Sequence, residues 1–328
     1  MKKLFQKFAK SLLLLVFLLS TNIANGKEIV KVDANIKSYQ PVVGLGGTIN
    51  SIGSDTLNNL MTLWAESFRK YYPNVFIQIE GKGSATAPPA LIEGVAQFGP
   101  MSRFMKKEEI NKFKKKYGFA PLPVGVALDA LAVFVNKENP LTQISLPEVD
   151  AIFSSTYKGK MANVQDWEQL LPENKQWQKK LIRLYGRNSA SGTYGFFKGK
   201  ALFKGDFKST VKERPGSAAV VQSVTEDKFG IGYSGMGYLT SGVKGIKLSL
   251  KKGDKGYIAN YSTVISGKYP LARLLYIYVV KPPDKEMDKL VVEFLKFILS
   301  KEGQQVVIKD GYLPLNERVL GQQRALID

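Results

Sequence analysis

The stretch Leu184-Tyr185-Gly186-Arg187-Asn188-Ser189-Ala190-Ser191-Gly192-Thr193-Tyr194-Gly195-Phe196-Phe197 decides how the rest of the chain is read. A β-type run from Leu181 to Tyr185 feeds a loop of small and polar residues, and the pattern predicts a helix starting near Thr193. The loop carries Arg187, three hydroxyl residues (Ser189, Ser191, Thr193) and a flexible Gly192. The first N–H groups of a helix lack intrahelical partners, and the helix dipole favours negative charge at that end. The Arg187 guanidinium adds a planar fork that fits a phosphate or a carboxylate bidentately. No nucleophile stands beside a base here. The stretch is chemically a socket for a small oxyanion. Taken alone, Ser191 and Thr193 read first as plain helix caps, with Arg187 solvated beside them.

Similar junctions upstream favour the socket. A short β-type run ends in G-T-I-N-S-I-G, Gly47 to Gly53. Ser54, Asp55 and Thr56 follow at N-cap positions. Leu57, Leu60, Met61, Trp64 and Phe68 then recur at helical spacing, which predicts a helix from Leu57 to Tyr71 with one buried face. Val75 to Glu80 alternates as a strand, Gly81 to Thr86 (G-K-G-S-A-T) is its loop, and Pro88 and Pro89 suit the first turn of a helix reaching Glu93. That loop lacks the G-K-[ST] ending of a nucleotide P-loop. A fourth junction, Phe98-Gly99-Pro100-Met101-Ser102-Arg103, precedes a helical pattern from Lys106 to Tyr117.

The composition narrows the chemistry. The 328 residues leave room for two domains of ordinary size. There are no cysteines and no histidines, so disulfides, thiol catalysis, zinc–thiolate sites, imidazole bases and a cysteine lipid anchor are all excluded. Lys2, Lys3, Lys7 and Lys10 precede the apolar run Ser11 to Ser20, and Ala24-Asn25-Gly26 offers small residues for cleavage. Residues 1–26 read as a secretory signal peptide, too short to span a bilayer. Without its four lysines the net charge falls from +19 to +15. Such a surface concentrates anions. The lysines are scattered, and the densest run, Lys112 to Lys116, reads as the solvated face of an amphipathic helix.

Further along, Phe119 to Asn139 is a long apolar passage holding the buried-strand pattern Ala130 to Val135. Ser145-Leu146-Pro147-Glu148 is a capping box. Trp167 and Trp177 read as packing anchors. Ser217 opens another helical stretch, Gly230 to Tyr233 reads as a strand, and Pro270 to Val280 is a second long β-type run. Helices are expected from Lys285 to Leu299 and from Lys301 to Lys309. Alternating strands and helices predict α/β architecture, in which ligands bind beyond the carboxyl ends of strands. Several such junctions in one chain suggest one ligand met from several sides.

The order and spacing of these junctions resemble the periplasmic phosphate-binding proteins that serve ABC importers. The resemblance rests on Gly53-Ser54-Asp55-Thr56, Gly81-Lys82-Gly83-Ser84, Phe98-Gly99 with Ser102-Arg103, and Arg187 followed by Ser191-Gly192-Thr193. Ala130 to Val135 and Tyr269 to Val280 look like the family's crossover strands. The resemblance implies a two-lobed, type II-like periplasmic-binding-protein fold: two mostly parallel sheets flanked by helices and joined by two crossover strands. Residues 27–127 plus 275–328 would form lobe one, and 128–274 lobe two. Phosphate would be held by Ser54, Asp55, Thr56, Ser84 and Ser102 from one lobe and by Arg187, Ser191, Gly192 and Thr193 from the other, with Arg187 the one cation.

By the same resemblance the chain would be a periplasmic monomer that delivers inorganic phosphate to a membrane permease. No metal, cofactor, specific nucleic acid or catalytic residue is expected. One departure bears on selectivity. Many family members carry an Asp where this chain has Ser102, and that Asp accepts the proton of a phosphate oxygen and repels sulfate. A Ser hydroxyl both accepts and donates. Asp55 is a substitute acceptor or a plain helix cap. Sulfate, tungstate or molybdate binding is the first alternative, and a secreted phosphatase the second.

Overall fold

The computed structural model describes residues 30–327, so the signal peptide expected over 1–26 lies outside the described residues. The chain begins lobe one with β1 (Gly47–Ile52), α1 (Asn58–Arg69), β2 (Val75–Glu80), α2 (Ala87–Ile92), β3 (Gly99–Met101) and α3 (Lys107–Tyr117). It crosses on β4 (Leu122–Asn136). Lobe two then holds β5 (Gln143–Ser145), α4 (Leu146–Phe153), β6 (Arg183–Arg187), α5 (Gly192–Lys200), β7 (Lys212–Arg214), α6 (Ser217–Glu226), β8 (Gly230–Gly235), β9 (Val243–Gly245), β10 (Lys247–Ser249) and α7 (Tyr261–Ile265). The return crossing is β11 (Ala272–Val279), and α8 (Lys289–Ile298), α9 (Lys301–Lys309) and α10 (Glu317–Ile327) pack back on lobe one.

Burial explains α1. Leu60, Met61, Trp64, Ala65 and Phe68 fall on one face and are buried, as their spacing requires. Removing such apolar side chains from water drives this packing, at about 1.5–3 kcal/mol for each large one. The Trp64 indole N–H, which burial would otherwise orphan, donates to the Gly303 carbonyl at 2.8 Å and ties α1 to α9. Phe68 packs edge-on to Phe294 of α8, with ring centroids 5.0 Å apart. In lobe two, Trp167 and Trp177 are both buried and meet edge to face at 5.5 Å. On α3, Phe113 is buried while Lys112, Lys114, Lys115 and Lys116 are exposed, the solvated face that the sequence suggests.

β1 and β2 pair in parallel, with α1 as the crossover that parallel pairing demands. β5 and β10 form a second parallel pair. The largest sheet runs β3-β11-β4-β8-β6-β7, with β9 also on β4. Every antiparallel pairing between strands involves β4 or β11, and the others are parallel. The sheets are therefore parallel outside the crossovers, and the crossovers join the two lobes into one mixed sheet.

Three elements differ from the sequence expectation. β4 is fifteen residues long and mostly buried, although only Ala130 to Val135 is uninterrupted in sequence. Pro123, Gly125 and Asp129 interrupt the earlier half, which lobe one's interior nevertheless accepts as strand. α8 starts at Lys289 rather than Lys285, because the Asp288 carboxylate caps it, accepting from Leu290 N at 2.9 Å and Val291 N at 3.2 Å. The last helix, α10, carries too few apolar residues to announce itself; it buries Leu320 and Ile327.

Asp310, in the turn after α9, accepts from the Asn59 amide, while its other oxygen is buried without a partner among the described residues. Burial raises its carboxyl to about 6. A raised carboxylate pKa means that the folded state holds a proton which the unfolded chain has released, so stability falls as pH rises from the usual carboxylate range through about 6. Asp310→Asn is therefore expected to raise the melting temperature at pH 7.5, with the gain shrinking to nothing near pH 4. Thermal unfolding at the two pH values checks this.

Candidate functional site

The three loops after β1, β2 and β3 are sewn together by the backbone. Gly53 N donates to Glu80 O at 2.9 Å, Gly83 N to Gly53 O at 2.8 Å, and Ser54 N to Pro100 O at 2.8 Å. Gly53 has no room for a side chain, since a Cβ there would lie 2.2 Å from Pro100 O. This stitching brings Ser54, Ser84 and Ser102 together, all buried. The Ser54 hydroxyl donates to Ser102 Oγ at 3.1 Å, Ser84 Oγ and Ser102 Oγ lie 3.4 Å apart, and Ser102 N donates to Ser84 Oγ at 3.1 Å.

Lobe two contributes the end of β6 and the start of α5. Ser191 caps α5, accepting from Thr193 N at 3.1 Å and Tyr194 N at 3.4 Å. The capping role and the placement at the cleft thus coincide in one residue. Gly192 comes so close to lobe one that a Cβ on it would lie 2.3 Å from Ser84 Oγ and 2.5 Å from Ser102 Oγ. Beside it, Ala85 N donates to Ala190 O at 3.0 Å. Gly83, at φ +118°, avoids the same carbonyl only because it has no Cβ. Thr56 Oγ1 and Thr193 Oγ1 meet across the cleft at 2.9 Å.

Arg187 is only 1% exposed. Its Nη1 donates to Ser217 Oγ at 2.6 Å and faces Asp55 Oδ2 at 3.0 Å, its Nη2 donates to Pro215 O at 2.8 Å, and its Nε is buried without a partner among the described residues. Burial lowers its pKa, and the Asp55 carboxylate opposes that effect. Asp55 opens the short 3-10 turn Asp55–Leu57, and among the described residues its carboxylate caps no helix of its own lobe. Its Oδ2 accepts from Ser217 N at 2.8 Å, the first residue of α6, so it sits at a helix N-terminus across the cleft.

All nine residues read from the sequence therefore converge: Ser54, Asp55, Thr56, Ser84 and Ser102 from one side, and Arg187, Ser191, Gly192 and Thr193 from the other. Beside them stands a second cation that the sequence reading did not place. Arg273 of β11 donates through Nη2 to Thr193 Oγ1 at 3.0 Å and through Nη1 to Ser102 O at 2.9 Å, and it pairs with Asp129 of β4 at 2.7 Å. Sequence reasoning also missed Ser217 and Tyr238, whose hydroxyl donates to Asp55 O at 2.8 Å. A signal was present for the ion pair: Asp129 and Arg273 are lone charges in apolar β-type runs, and such charges are buried only when paired.

Two guanidinium groups and two carboxylates thus cancel formally around the cluster. An anion placed there would be attracted by hydroxyl and N–H dipoles more than by net charge. Dehydrating a small oxyanion is costly, and charge-assisted hydrogen bonds from many sides are what replace the lost water.

A family model described as a PBP superfamily domain matches residues 41–302. The phosphate-binding protein PstS of Pseudomonas aeruginosa is 49% identical over 311 residues, 94% of this chain and 96% of that protein. PstS of Staphylococcus epidermidis is 30% identical over 266 residues, 79% of this chain and 77% of that protein. Among solved structures, a putative phosphate ABC transporter substrate-binding protein from Clostridium perfringens, with bound phosphate, superposes with a TM-score of 0.70 at 24% identity. It covers 82% of this chain and all of that one, a likeness of fold.

Proposed function

Because the chain belongs to the PBP superfamily, and within it to the phosphate-binding proteins, we propose that it captures inorganic phosphate between its lobes and presents it to a membrane ABC permease. The observation that carries the site is the approach of Gly192 to Ser84 and Ser102, with the buried Arg187 paired to Asp55 across the same two lobes. Ser54, Thr56, Ser84, Ser102, Ser191 and Thr193 supply hydroxyls, the α5 N-terminus supplies N–H dipoles, and Arg187 supplies the charge-assisted bonds. Asp55 serves chiefly to neutralise Arg187 and to draw the lobes together. Residues 27–127 plus 275–328 and residues 128–274 are the two bodies that close. The protein acts as a binder, with no bond made or broken, and it is exported to the periplasm after loss of residues 1–26. Among the described residues no helix is long and apolar enough to cross a membrane.

Ser102 keeps a second oxyanion in view, because a hydroxyl at this point both accepts and donates. Calorimetric titration of the mature chain decides the matter. Phosphate is expected to bind at micromolar or tighter affinity, on the order of −8 kcal/mol or better, with sulfate, tungstate and molybdate competing weakly. Heat from sulfate but none from phosphate would overturn the assignment.

A further inference from the structure

β4 and β11 pair antiparallel, and Arg273 stands directly opposite Asp129 in that register. On one side of this rung, Val124, Val126, Ala127, Leu275 and Ile277 pack in the core of lobe one. On the other side, Ala130, Leu131, Val133 and Leu271 pack in the core of lobe two. Both strands thus pass from lobe to lobe at the same rung, the place where a hinge motion of one lobe against the other must bend the chain.

The pair at that rung is thoroughly buried, with side-chain exposures of 4% for Arg273 and 0% for Asp129. Arg273 Nε and Nη2 both donate to Asp129 Oδ2, at 2.9 and 2.7 Å. A buried ion pair costs desolvation and adds little stability over an apolar pair, so stability does not account for it. The remaining contacts do. Nη1 reaches the Ser102 carbonyl of lobe one, and Nη2 reaches the Thr193 hydroxyl of lobe two. The guanidinium also lies over the ring of Phe196 on α5, 5.2 Å from its centre.

We propose that Arg273 is a positioning residue that couples closure of the lobes to assembly of the anion site. This rests on reading that site as an oxyanion socket. The guanidinium is rigid and planar, so it satisfies Ser102 O and Thr193 Oγ1 together only at one separation of the lobes. By donating to Thr193 Oγ1 it occupies a lone pair and turns that hydroxyl's own hydrogen outward, as a donor toward Thr56 Oγ1 or a bound anion. Asp129 holds the fork in place, and its Oδ1 also accepts from Met236 N at 3.3 Å. Lysine keeps the charge but cannot reproduce the fork.

The test combines calorimetry with inorganic phosphate, small-angle scattering and a double-mutant cycle. Arg273→Met is expected to weaken phosphate binding about 30-fold or more. Its radius of gyration in saturating phosphate should stay above that of the wild type. Arg273→Lys should recover little of the loss. Thr193→Val should cost much less in the Arg273→Met background than alone, the non-additivity expected of groups in one network. A purely structural Arg273 would lower the melting temperature yet leave the cycle additive and closure normal, and that result overturns the proposal, as does wild-type affinity in Arg273→Met. Should Arg273→Met not fold, Arg273→Lys takes its place in the same cycle, and additivity there overturns the proposal equally. A wild-type chain that ignores phosphate would sink the functional reading separately, and the scattering comparison without phosphate would then judge Arg273: equal radii overturn its role.

Discussion

Arg187→Ala is expected to lower phosphate affinity about 100- to 1,000-fold in calorimetry, the equivalent of roughly 3–4 kcal/mol. Two effects add. The variant removes the charge-assisted donors that replace the anion's water. It also strands the Asp55 carboxylate, now 3.0 Å from Arg187 Nη1, as an uncompensated negative charge facing the incoming anion. Because Arg187 also donates to Ser217 Oγ and Pro215 O, the loop before α6 loses two anchors, and lobe two should melt earlier. Arg187→Lys restores the charge but cannot span Ser217, Pro215 and Asp55 together, so it should recover only part of the affinity. Affinity unchanged in Arg187→Ala would remove the anion from this cluster altogether.

Gly192→Ala is expected to abolish phosphate binding at millimolar concentration while leaving the far-ultraviolet spectrum and melting temperature nearly intact. The change adds one carbon where the two lobes press together. The new Cβ would meet Ser84 Oγ at 2.3 Å, Ser102 Oγ at 2.5 Å and Ser84 Cβ at 3.0 Å. Rotating the two hydroxyls away relieves the first two contacts, but the third is fixed to the backbone. The two segments must then give by a few tenths of an ångström or more, and contacts closed across the cleft, Thr56 to Thr193 among them, lengthen with them. Folding survives because Gly192 is in the first turn of α5, where alanine is a better helix former than glycine. Scattering should report an expanded particle with or without phosphate. A compact particle with wild-type affinity would show that lobe contact at Gly192 is no part of binding.

Two glycines mark how far the residues alone reach. From sequence Gly83 reads only as part of a small polar loop, and Gly192 as a flexible position in another. Only the assembled fold shows that each is small because a segment of the other lobe presses on it: Ala190 O against Gly83, Ser84 and Ser102 against Gly192. Asp55 is a like case. Its sequence position is that of an N-cap, and the carboxylate does sit at a helix start, but at that of α6, 162 residues away.

What the sequence by itself determined is local. Hydrophobic spacing marked α1, small hydroxyl residues marked the loop and helix starts, and Arg187 beside S-G-T marked the socket proposed for the anion. These signals arise from groups a few residues apart, whose helix-end N–H groups, rotamers and buried faces depend little on the remainder of the chain. Tertiary structure decided which charges meet. Arg273 and Asp129 are 144 residues apart and become partners only because the two crossovers pair in one register. It also decided that the cluster balances its own charge, because the energy of a buried ion depends on what surrounds it at a few ångströms, a distance no linear spacing encodes.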